Sequence, residues 1–495
     1  MYTRSGKTFR DRALTVVTGI LVGFSAITVA DAATFRVPDE AATLQAAFDS
    51  ASPGDTVLVA PGVYAGDGNR DLVFFGRNLV ICSEAGAEQT IIDCGGTVMD
   101  PHRAFVVTMG EDTTTVIDGF TIRNGLAPSQ MIINNGQNVW YEGGGAILCY
   151  GASPKIINCR FEENWAGSTG SSSIRAGGAI FCAIGAPVIR HCVFENNGAY
   201  FSGGAIACYS ASPEIFDCRF TRNMAGGFGM SFGTGGAIAC RNSRTRVENS
   251  LLHENIAYFG GGIFTASPIS IARCTIVGNS ADSIGGGICC TDSGFTMSNS
   301  IIAFSLSGEA AGVILIGGSW PHPTLTCSNV YGNAGGDWVG AITYPNGISE
   351  DPLFCDMDGE NFRLHSQSPC APPNNQWGQL IGALDVGCTP TAVEPPVSDH
   401  APLEGFALAE NYPDPFNAAT TISYSVPQRG RVTIGIYNVL GQQVRTLVDG
   451  EQGPGVYTVT WDGTDDAGRA VASGVYLYRF ECAGQVATRK MVLLK

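Results

Sequence analysis

The four residues Gly144-Gly145-Ala146-Ile147 open a unit that returns five more times along the middle of the chain. The same phrase begins at Gly177, Gly203 and Gly235, and the variant Gly-Gly-Gly-Ile begins at Gly260 and Gly285. Successive copies start 33, 26, 32, 25 and 25 residues apart, so the unit has about 25 residues and two copies carry an insertion. A repeat of this length is typical of a solenoid, a propeller or another stacked array.

Apolar residues recur at fixed distances from each phrase, in three short sets. In the first unit the sets are Ile147 with Cys149, then Ile156, then Cys159 with Phe161. Such short sets with a period of two predict strands with one buried face. Three strands in about 25 residues can bury their inward faces only by stacking coil on coil. The sequence therefore predicts an all-β fold, a right-handed parallel β-helix, because a propeller blade needs four strands in about 40 residues.

Equivalent residues of stacked coils should form ladders with a spacing of about 4.8 Å. The predicted inward isoleucine ladder is Ile147, Ile180, Ile206, Ile238, Ile263 and Ile288. The predicted asparagine ladder is Asn164, Asn197, Asn223, Asn255 and Asn279. Asparagine suits a sharp corner because it tolerates left-handed backbone and its amide can bond to the amides above and below. The paired glycines suit the next corner, where positive φ or close backbone approach is needed.

Composition divides the chain into four segments. Residues 1–32 are typical of a secretory signal, with a basic start, an apolar stretch and the cleavage-type triplet Ala30-Asp31-Ala32. The alternative is a retained anchor, since the apolar stretch is close to the length that spans a bilayer. Residues 33–388 are predicted to form the β-helix with an N-terminal capping helix, and 389–404 a proline-rich linker. Residues 405–495 alternate as strands joined by Gly/Asp turns, which predicts a small antiparallel β-sandwich.

Two parts of the sequence resemble known families. The phrase Gly-Gly-Ala-Ile with Phe161-Glu162-Glu163-Asn164 resembles the repeat of chlamydial polymorphic outer-membrane proteins and, more broadly, pectate-lyase-type β-helix proteins. The segments Asn411-Tyr412-Pro413-Asp414-Pro415-Phe416-Asn417 and Ser473-Gly474-Val475-Tyr476 resemble the C-terminal sorting domain of type IX secretion cargo, which is similar to the immunoglobulin-like domain of flagellar hook-capping proteins. Asp414 stands where that family usually has Asn. These resemblances imply a secreted or surface-attached protein that has no transmembrane segment once mature and engages secretion machinery through residues 405–495.

The end of the β-helix region carries a further resemblance and three cysteines. Asp351-Pro352-Leu353-Phe354 resembles the final coils of the same secreted β-helix proteins. We expect one pair among Cys355, Cys370 and Cys388 to be disulfide-bonded, because a secreted chain meets an oxidising environment. Most of the 17 cysteines fall on the inward ladders, where we expect buried free thiols. No metal-binding cysteine spacing or cofactor motif occurs, so we expect neither a metal nor a cofactor.

The charge of the chain excludes one class of partner. A net charge of −16 and a pI near 4.8 argue against nucleic acid, which needs a basic face. The same charge makes the chain a poor host for polyuronates without Ca²⁺ or a local basic patch. We therefore expect the partner to be an extracellular polysaccharide or cell-surface glycan, neutral rather than acidic, with a non-catalytic structural or adhesion protein as the alternative.

The candidate substrate-binding residues are Tyr150, Phe181, Tyr209 and Arg241, which follow the repeated isoleucines at outward positions. An outward face this apolar and aromatic should be covered, either by the insertions Trp165–Ala176 and Met224–Thr234 folding back as a lid or by a ligand in a groove. Pectate-lyase-like proteins bind substrate on this side, so the resemblance implies the groove.

The weak catalytic candidates are Glu162 and Glu195, which share an offset on adjacent coils. They should lie about 5 Å apart, the carboxylate separation of a retaining glycosidase. The other interpretation is two solvated acids near Arg160 and Arg219. The catalytic sets of polygalacturonases and pectate lyases are missing, so the sequence leaves open whether the protein is an enzyme and, if so, whether it is a polysaccharide lyase or a glycoside hydrolase.

Overall fold

The computed structural model describes the chain from residue 32 onward, with gaps. The described residues are 32–128, 130–134, 137–167, 176–226, 232–291, 294–309, 312–316, 322–340, 342, 344, 346–389, 406–408, 411, 416, 420–438, 441–453, 455–482 and 484–493. The predicted signal peptide and linker lie outside them, apart from one residue each. Among the described residues, no helix has both the length and the apolar character needed to cross a membrane.

Four parallel sheets run along residues 34–339, and we number them in the order in which each coil visits them. Sheet 1 contains Leu72–Val73, Phe105–Val107, Ile147–Tyr150, Ile180–Ala183, Ile206–Tyr209, Ile238–Arg241, Ile263–Ala266, Ile288–Thr291, Val313–Ile316 and Trp338–Val339. Sheet 2 contains Thr34–Val37, Thr56–Val59, Val80–Ser83, Val116–Asp118, Lys155–Ile157, Val188–Arg190, Glu214–Phe216, Arg246–Glu248, Ser270–Ala272, Thr296–Ser298 and Thr324–Thr326. Sheet 3 contains Gly62–Ala65, Thr90–Asp93, Thr121–Arg123, Arg160–Glu162, Val193–Glu195, Arg219–Thr221, Leu251–His253, Thr275–Val277, Ile301–Ala303 and Asn329–Tyr331. Sheet 4 contains Trp165–Ala166, Gly198–Ala199, Met224–Ala225, Ile256–Phe259, Ser280–Ile284 and Leu306–Glu309.

Sheet 4 was not predicted, because the sequence indicated three strands per coil. Its strands are as short as two residues and their inward side chains are alanines, so they leave no apolar alternation in the sequence. The second glycine of each phrase packs against this sheet. A Cβ on Gly204 would lie 2.5 Å from the backbone nitrogen of Met224 and 2.2 Å from the carbonyl oxygen of Gly236. Only glycine allows the backbones to approach this closely.

The isoleucine ladder is confirmed. All six isoleucines pair in direct register in sheet 1, and each is completely buried. The phenylalanines of the third apolar set form a second ladder, in sheet 3. The rings of Phe161 and Phe194 stack with centroids 4.8 Å apart, and those of Phe194 and Phe220 with centroids 4.7 Å apart. Each buried side chain contributes roughly 1.5–3 kcal/mol, so every stacked coil adds stability.

The asparagine ladder forms as predicted, but its backbone differs from the prediction. The Asn223 amide nitrogen donates to Asn255 Oδ1 and to the carbonyl of Phe194, each at 2.9 Å. The left-handed residue at this corner is the one before each asparagine, with φ of 56° at Glu163 and 53° at Arg222. The preceding residue makes the reversal, which leaves the asparagine side chain directed inward along the ladder.

The predicted capping helix forms over Leu44–Ser50. Thr43 precedes it, and the Thr43 hydroxyl accepts a hydrogen bond from the backbone nitrogen of Ala46 at 3.2 Å, which satisfies one of the free donors of the first turn. Phe48 is completely buried, with its ring centroid 5.1 Å from that of Phe74. The helix thus covers the first coils, whose inward faces would otherwise be open at this end.

Residues 351–388, which we call the strap, differ from the expected final coils. Their strands Phe354–Asp356, Asn361–His365 and Val386–Cys388 pair with one another and with none of the four β-helix sheets. The strap folds back over the outer face of sheet 3, because the outward side chains there are apolar and need a cover. Ile381 and Leu364 pack with Ile301 and Ala303, and Phe362 packs with Leu251.

The expected disulfide is confirmed as Cys355–Cys388, which closes the strap over 33 residues of sequence. Cys370, the third candidate, is a buried free thiol. Burial raises the pKa of Cys274, a member of the inward ladders, to about 12. A thiol of this kind carries no charge near neutral pH, so it acts as a small apolar side chain.

The C-terminal part has the predicted sandwich. One sheet contains Ala407–Leu408, Thr420–Val426 and Gly455–Trp461, and the other contains Gly430–Asn438, Gln443–Gln452, Gly474–Cys482 and Gln485–Leu493. Trp461 and Tyr478 from the two sheets share one buried core. Phe416 is buried 5.4 Å from Trp461 between ring centroids, and its backbone nitrogen bonds to the Val492 carbonyl at 2.9 Å. Asp414 lies outside the described residues.

Candidate functional site on the outer face of sheet 1

Three of the four predicted binding residues lie in one straight row. Tyr150 pairs with Ala183, Ala183 with Tyr209, and Tyr209 with Arg241, each in direct register on successive coils. Tyr150 and Tyr209 are therefore two coils, or about 10 Å, apart. Both tyrosines are half-buried, and Arg241 is exposed. Ala183 is small, so it leaves a step between the two rings.

Phe181 is a correction to the predicted site, because its side chain is completely buried. A Cβ placed on Gly143 would lie 2.7 Å from the Phe181 ring, so this glycine lies directly over it. Ala176 packs in the same cluster. The ring of Phe181 lies 5.5 Å from that of Tyr209 between centroids, so Phe181 packs against Tyr209 while it is itself out of reach of a ligand.

Arg241 is held by an aromatic ring. Its guanidinium carbon lies 5.2 Å from the centroid of Phe264, a distance at which a cation is attracted to the ring face. Among the residues that the structure describes, the Arg241 guanidinium forms no ion pair. The row therefore ends in an oriented, uncompensated positive charge next to Tyr209.

The sequence left open whether a lid or a ligand covers this face. The residues directly before the Gly-Gly phrases form a ladder in which Ala176 pairs with Ser202, and Ser202 with Thr234. Residues 168–175 and 227–231 of the two insertions lie outside the described residues, so the lid hypothesis falls largely on them. Within the described residues the two tyrosines keep part of their surface open.

Glu162 and Glu195 lie opposite each other on adjacent strands of sheet 3, as the spacing predicted. The carboxylates of both residues form ion pairs with arginines. Arg160 lies 2.9 Å from Glu162 and 3.5 Å from Glu195, and Arg222 donates to Glu195 at 2.7 Å. Both carboxylates thus make their contacts with guanidinium groups, whereas the two carboxylates of a glycosidase flank the scissile bond. The pair is poorly suited to acid–base catalysis.

Beside this pair, charged side chains join the strap to sheet 3. Glu360 of the strap accepts hydrogen bonds from Arg219 and Arg222, each at 2.7 Å. The Arg222 hydrogen bond, more than any other contact, lowers the pKa of Glu360. Burial, followed by the charge of Arg219, lowers the pKa of His253 to about 4. His253 is therefore neutral beneath the strap at ordinary pH.

One group of residues has the composition of a metal site. Donor atoms of His253, Glu254 and Glu360 all lie within 4.8 Å of one another. Two guanidiniums already occupy this space, because Arg219 contacts His253 Nε2 at 2.9 Å and Arg222 contacts Glu254 at 3.0 Å. A metal cation would have to displace both arginines, so these residues do not fit a metal.

We did not predict from the sequence that the strap covers the outer face of sheet 3. A signal was present, since the outward residues of that sheet change from charged on the earlier coils to apolar at Leu251, Val277 and Ile301. Outward apolar side chains over several coils indicate a covered face.

Comparisons with known proteins agree with this architecture. Residues 107–242 match the right-handed beta helix region, residues 273–291 the Chlamydia polymorphic membrane protein repeat, and residues 417–484 the FlgD Ig-like domain. No curated protein sequence matches the chain. Among solved structures, dimeric latent PorU from Porphyromonas gingivalis aligns with 18% identity over 22% of this chain and 10% of that one, with a TM-score of 0.16. A likeness of that extent carries no argument.

The predicted β-helix, polymorphic-type repeat and hook-capping immunoglobulin-like domain are thus confirmed, whereas the resemblances to pectate-lyase-type proteins and to type IX secretion cargo stay predictions. The chain is a right-handed β-helix with repeats of the chlamydial polymorphic type, followed by an immunoglobulin-like domain of the FlgD type. This combination is that of a surface or secreted β-helix protein.

Proposed function

We propose that the mature protein is secreted or surface-attached and binds an extracellular polysaccharide or cell-surface glycan on the outer face of sheet 1, without cleaving it. The observation that carries this proposal is the row in which Tyr150 and Tyr209, about 10 Å apart, precede the uncompensated charge of Arg241. Partly open aromatic rings on a rigid sheet suit the stacking of sugar rings, because little side-chain entropy is lost when they bind.

The absence of cleavage is proposed from Glu162 and Glu195, whose carboxylates are held by Arg160 and Arg222. The acidic chain favours a neutral glycan, since one arginine offsets little of a net charge of −16. A neutral chain of sugars would lie along the tyrosine row with hydroxyl groups reaching Arg241.

The test is a glycan array with residues 33–495, with and without Ca²⁺, followed by calorimetry with the tightest glycan. Tyr150→Ala and Tyr209→Ala should each weaken binding about tenfold, which is about 1.4 kcal/mol. The corresponding phenylalanine variants should keep most of the affinity because the ring remains. Tyr258→Ala, a half-buried tyrosine on sheet 4, is the matched control and should change nothing. An array with no glycan bound, or unchanged affinity in the double alanine variant, would refute the proposal.

The second candidate is a structural or adhesion protein without a glycan ligand. It is favoured by the burial of Phe181 and Leu148, which reduces the open apolar area of the face. A negative array together with intact folding would select it.

Residues 405–495 are proposed to engage the secretion machinery. This rests on the FlgD-type domain and on the segments 411–417 and 473–476, which resemble the sorting domain. A soluble reporter fused to residues 405–495 should cross the outer membrane of a host with type IX secretion, whereas retention in the periplasm would contradict the assignment.

A further inference from the structure

A cleft of about 520 Å³ lies between the strap and the outer face of sheet 3, away from the tyrosine row. Two distant parts of the sequence form it, the coils around residues 191–251 and the strap residues 360–384. The volume falls in the usual range for small-ligand sites, which often lie where separate parts of a chain meet.

The strap side of the cleft carries a positive charge. The aliphatic part of Arg363 packs on the backbone of Gly387, where a Cβ would lie 2.5 Å from that of Arg363. Among the described residues, the Arg363 guanidinium has neither an ion pair nor a hydrogen bond, whereas Arg219, which also lines the cleft, is paired with Glu360. Arg363 is therefore the uncompensated cation of this cleft.

The opposite side is a row of polar side chains at the turn between sheets 2 and 3. Asn249 donates to Asp217 at 2.5 Å, and His191 Nδ1 lies 3.9 Å from the other Asp217 oxygen. These contacts hold Asp217 in place and leave it partly open as a hydrogen-bond acceptor. Asn361 faces this row from the strap and adds an amide.

The floor of the cleft is formed by apolar side chains. Leu251, Phe362 and Leu384 line it and pack together under the strap. Next to the lining residue Ala383 the strap is bonded to the β-helix, since the Gly382 nitrogen donates to the Asn299 carbonyl at 2.8 Å. A continuous polymer would have to displace this contact to pass under the strap, whereas the end of a chain would not.

We propose that this cleft captures the C-terminal residue of a peptide or protein chain, with the carboxylate on Arg363 and an apolar side chain on the floor. The row of Asp217 and Asn249 bonds to the last peptide groups. Capture of a terminal carboxylate is a known mode of peptide recognition. The site is separate from the tyrosine row and does not rest on the proposed glycan binding.

The test uses N-acetyl-leucine and N-acetyl-leucinamide as probes, with binding to residues 33–495 followed by saturation-transfer NMR and calorimetry. N-acetyl-leucine should bind with a Kd of about 1 mM and at least tenfold more tightly than the amide, which lacks the carboxylate. N-acetylglycine should bind more weakly than N-acetyl-leucine because it leaves the floor uncovered.

Variants locate the effect. Arg363→Ala should abolish the preference for the carboxylate over the amide, Arg363→Lys should keep part of it, and Arg244→Ala, an exposed arginine outside the cleft, should keep all of it. The inference is overturned if N-acetyl-leucine does not bind at 20 mM, if the amide binds equally well, or if Arg363→Ala keeps the preference. Tighter binding of glucuronate than of N-acetyl-leucine would also overturn it, in favour of a sugar acid.

Discussion

Removing one amide from the asparagine ladder should destabilise the β-helix far more than removing an exposed amide. Asn223 Oδ1 accepts from the backbone nitrogen and the side-chain nitrogen of Asn197, at 3.1 and 3.0 Å. Its own side-chain nitrogen donates to the carbonyl of Phe194 and to Asn255 Oδ1. Asn223→Ala removes all four bonds.

The size of the effect follows from what remains unpaired. The backbone N–H of Asn197 and one of its side-chain N–H groups lose this acceptor in a buried site. The other side-chain N–H of Asn197 keeps the Phe161 carbonyl, and Asn255 keeps a bond from the backbone nitrogen of residue 223. A buried polar group left without a partner costs about 1–3 kcal/mol, so two such N–H groups should lower the free energy of unfolding by about 2–6 kcal/mol. This is a large part of the stability of a typical domain.

The assay is urea unfolding of residues 33–388, with hydrogen exchange to report the coils on either side of residue 223. Asn158→Gly is the matched control: Asn158 has one exposed bond to Asp118, and glycine tolerates its φ of 53°. This control substitution should lower the free energy of unfolding by less than about 1 kcal/mol. Equal costs for the two variants would refute the idea that the amide ladder stabilises the solenoid.

Three further predictions concern the strap and the tight corner. The pKa of His253 is lowered to about 4, from about 6.5 in the unfolded chain, so the unfolded state binds the proton first as the pH falls. The free energy of unfolding should therefore be highest above pH 6.5 and fall by up to about 3 kcal/mol as the pH drops toward 4. Urea midpoints measured against pH should show this slope, and His253→Gln should flatten it. Replacing Cys355 and Cys388 by serine should lower the free energy of unfolding by up to about 4 kcal/mol, because a 33-residue loop is no longer closed, and should speed hydrogen exchange in the strap. Thiol titration of the denatured wild-type protein without reductant should find 15 free thiols. Gly204→Ala should lower the free energy of unfolding, measured in urea, by about 3 kcal/mol, because the new Cβ would lie 2.2 Å from a backbone atom. Gly278→Ala is the control: its Cβ would have no neighbour within 4 Å, so the φ of 62° alone should cost about 1 kcal/mol.

The inward face of the β-helix was predictable because period-2 alternation and a fixed repeat leave only one way to bury the ladders. Ile147 and its equivalents fall in register for this reason. The fourth strand was not predictable, because two-residue strands with an inward alanine such as Ala166 have no periodicity to detect. We predicted left-handed backbone at the asparagine, but the left-handed residue is the one before it, as at Glu163. The intrinsic preference of asparagine for this conformation does not show which of two adjacent residues must direct its side chain inward.

The sequence predicted which residues of the candidate site lie in one row, but it did not predict how deeply each side chain is buried. Alternation places Tyr150 and Tyr209 outward, but burial on an outer face depends on distant segments. Gly143 covers Phe181, and the strap covers Leu251 from more than 100 residues away. Contacts of this kind are set by the path of the connecting segments, which leaves no local pattern in the sequence.

The most direct measurement of the proposed function is a crystal structure of residues 33–495 soaked with the tightest glycan from the array. The proposal predicts sugar rings stacked on Tyr150 and Tyr209 along the row that ends at Arg241. A glycan bound on another face, with both tyrosines free of contact, would contradict it.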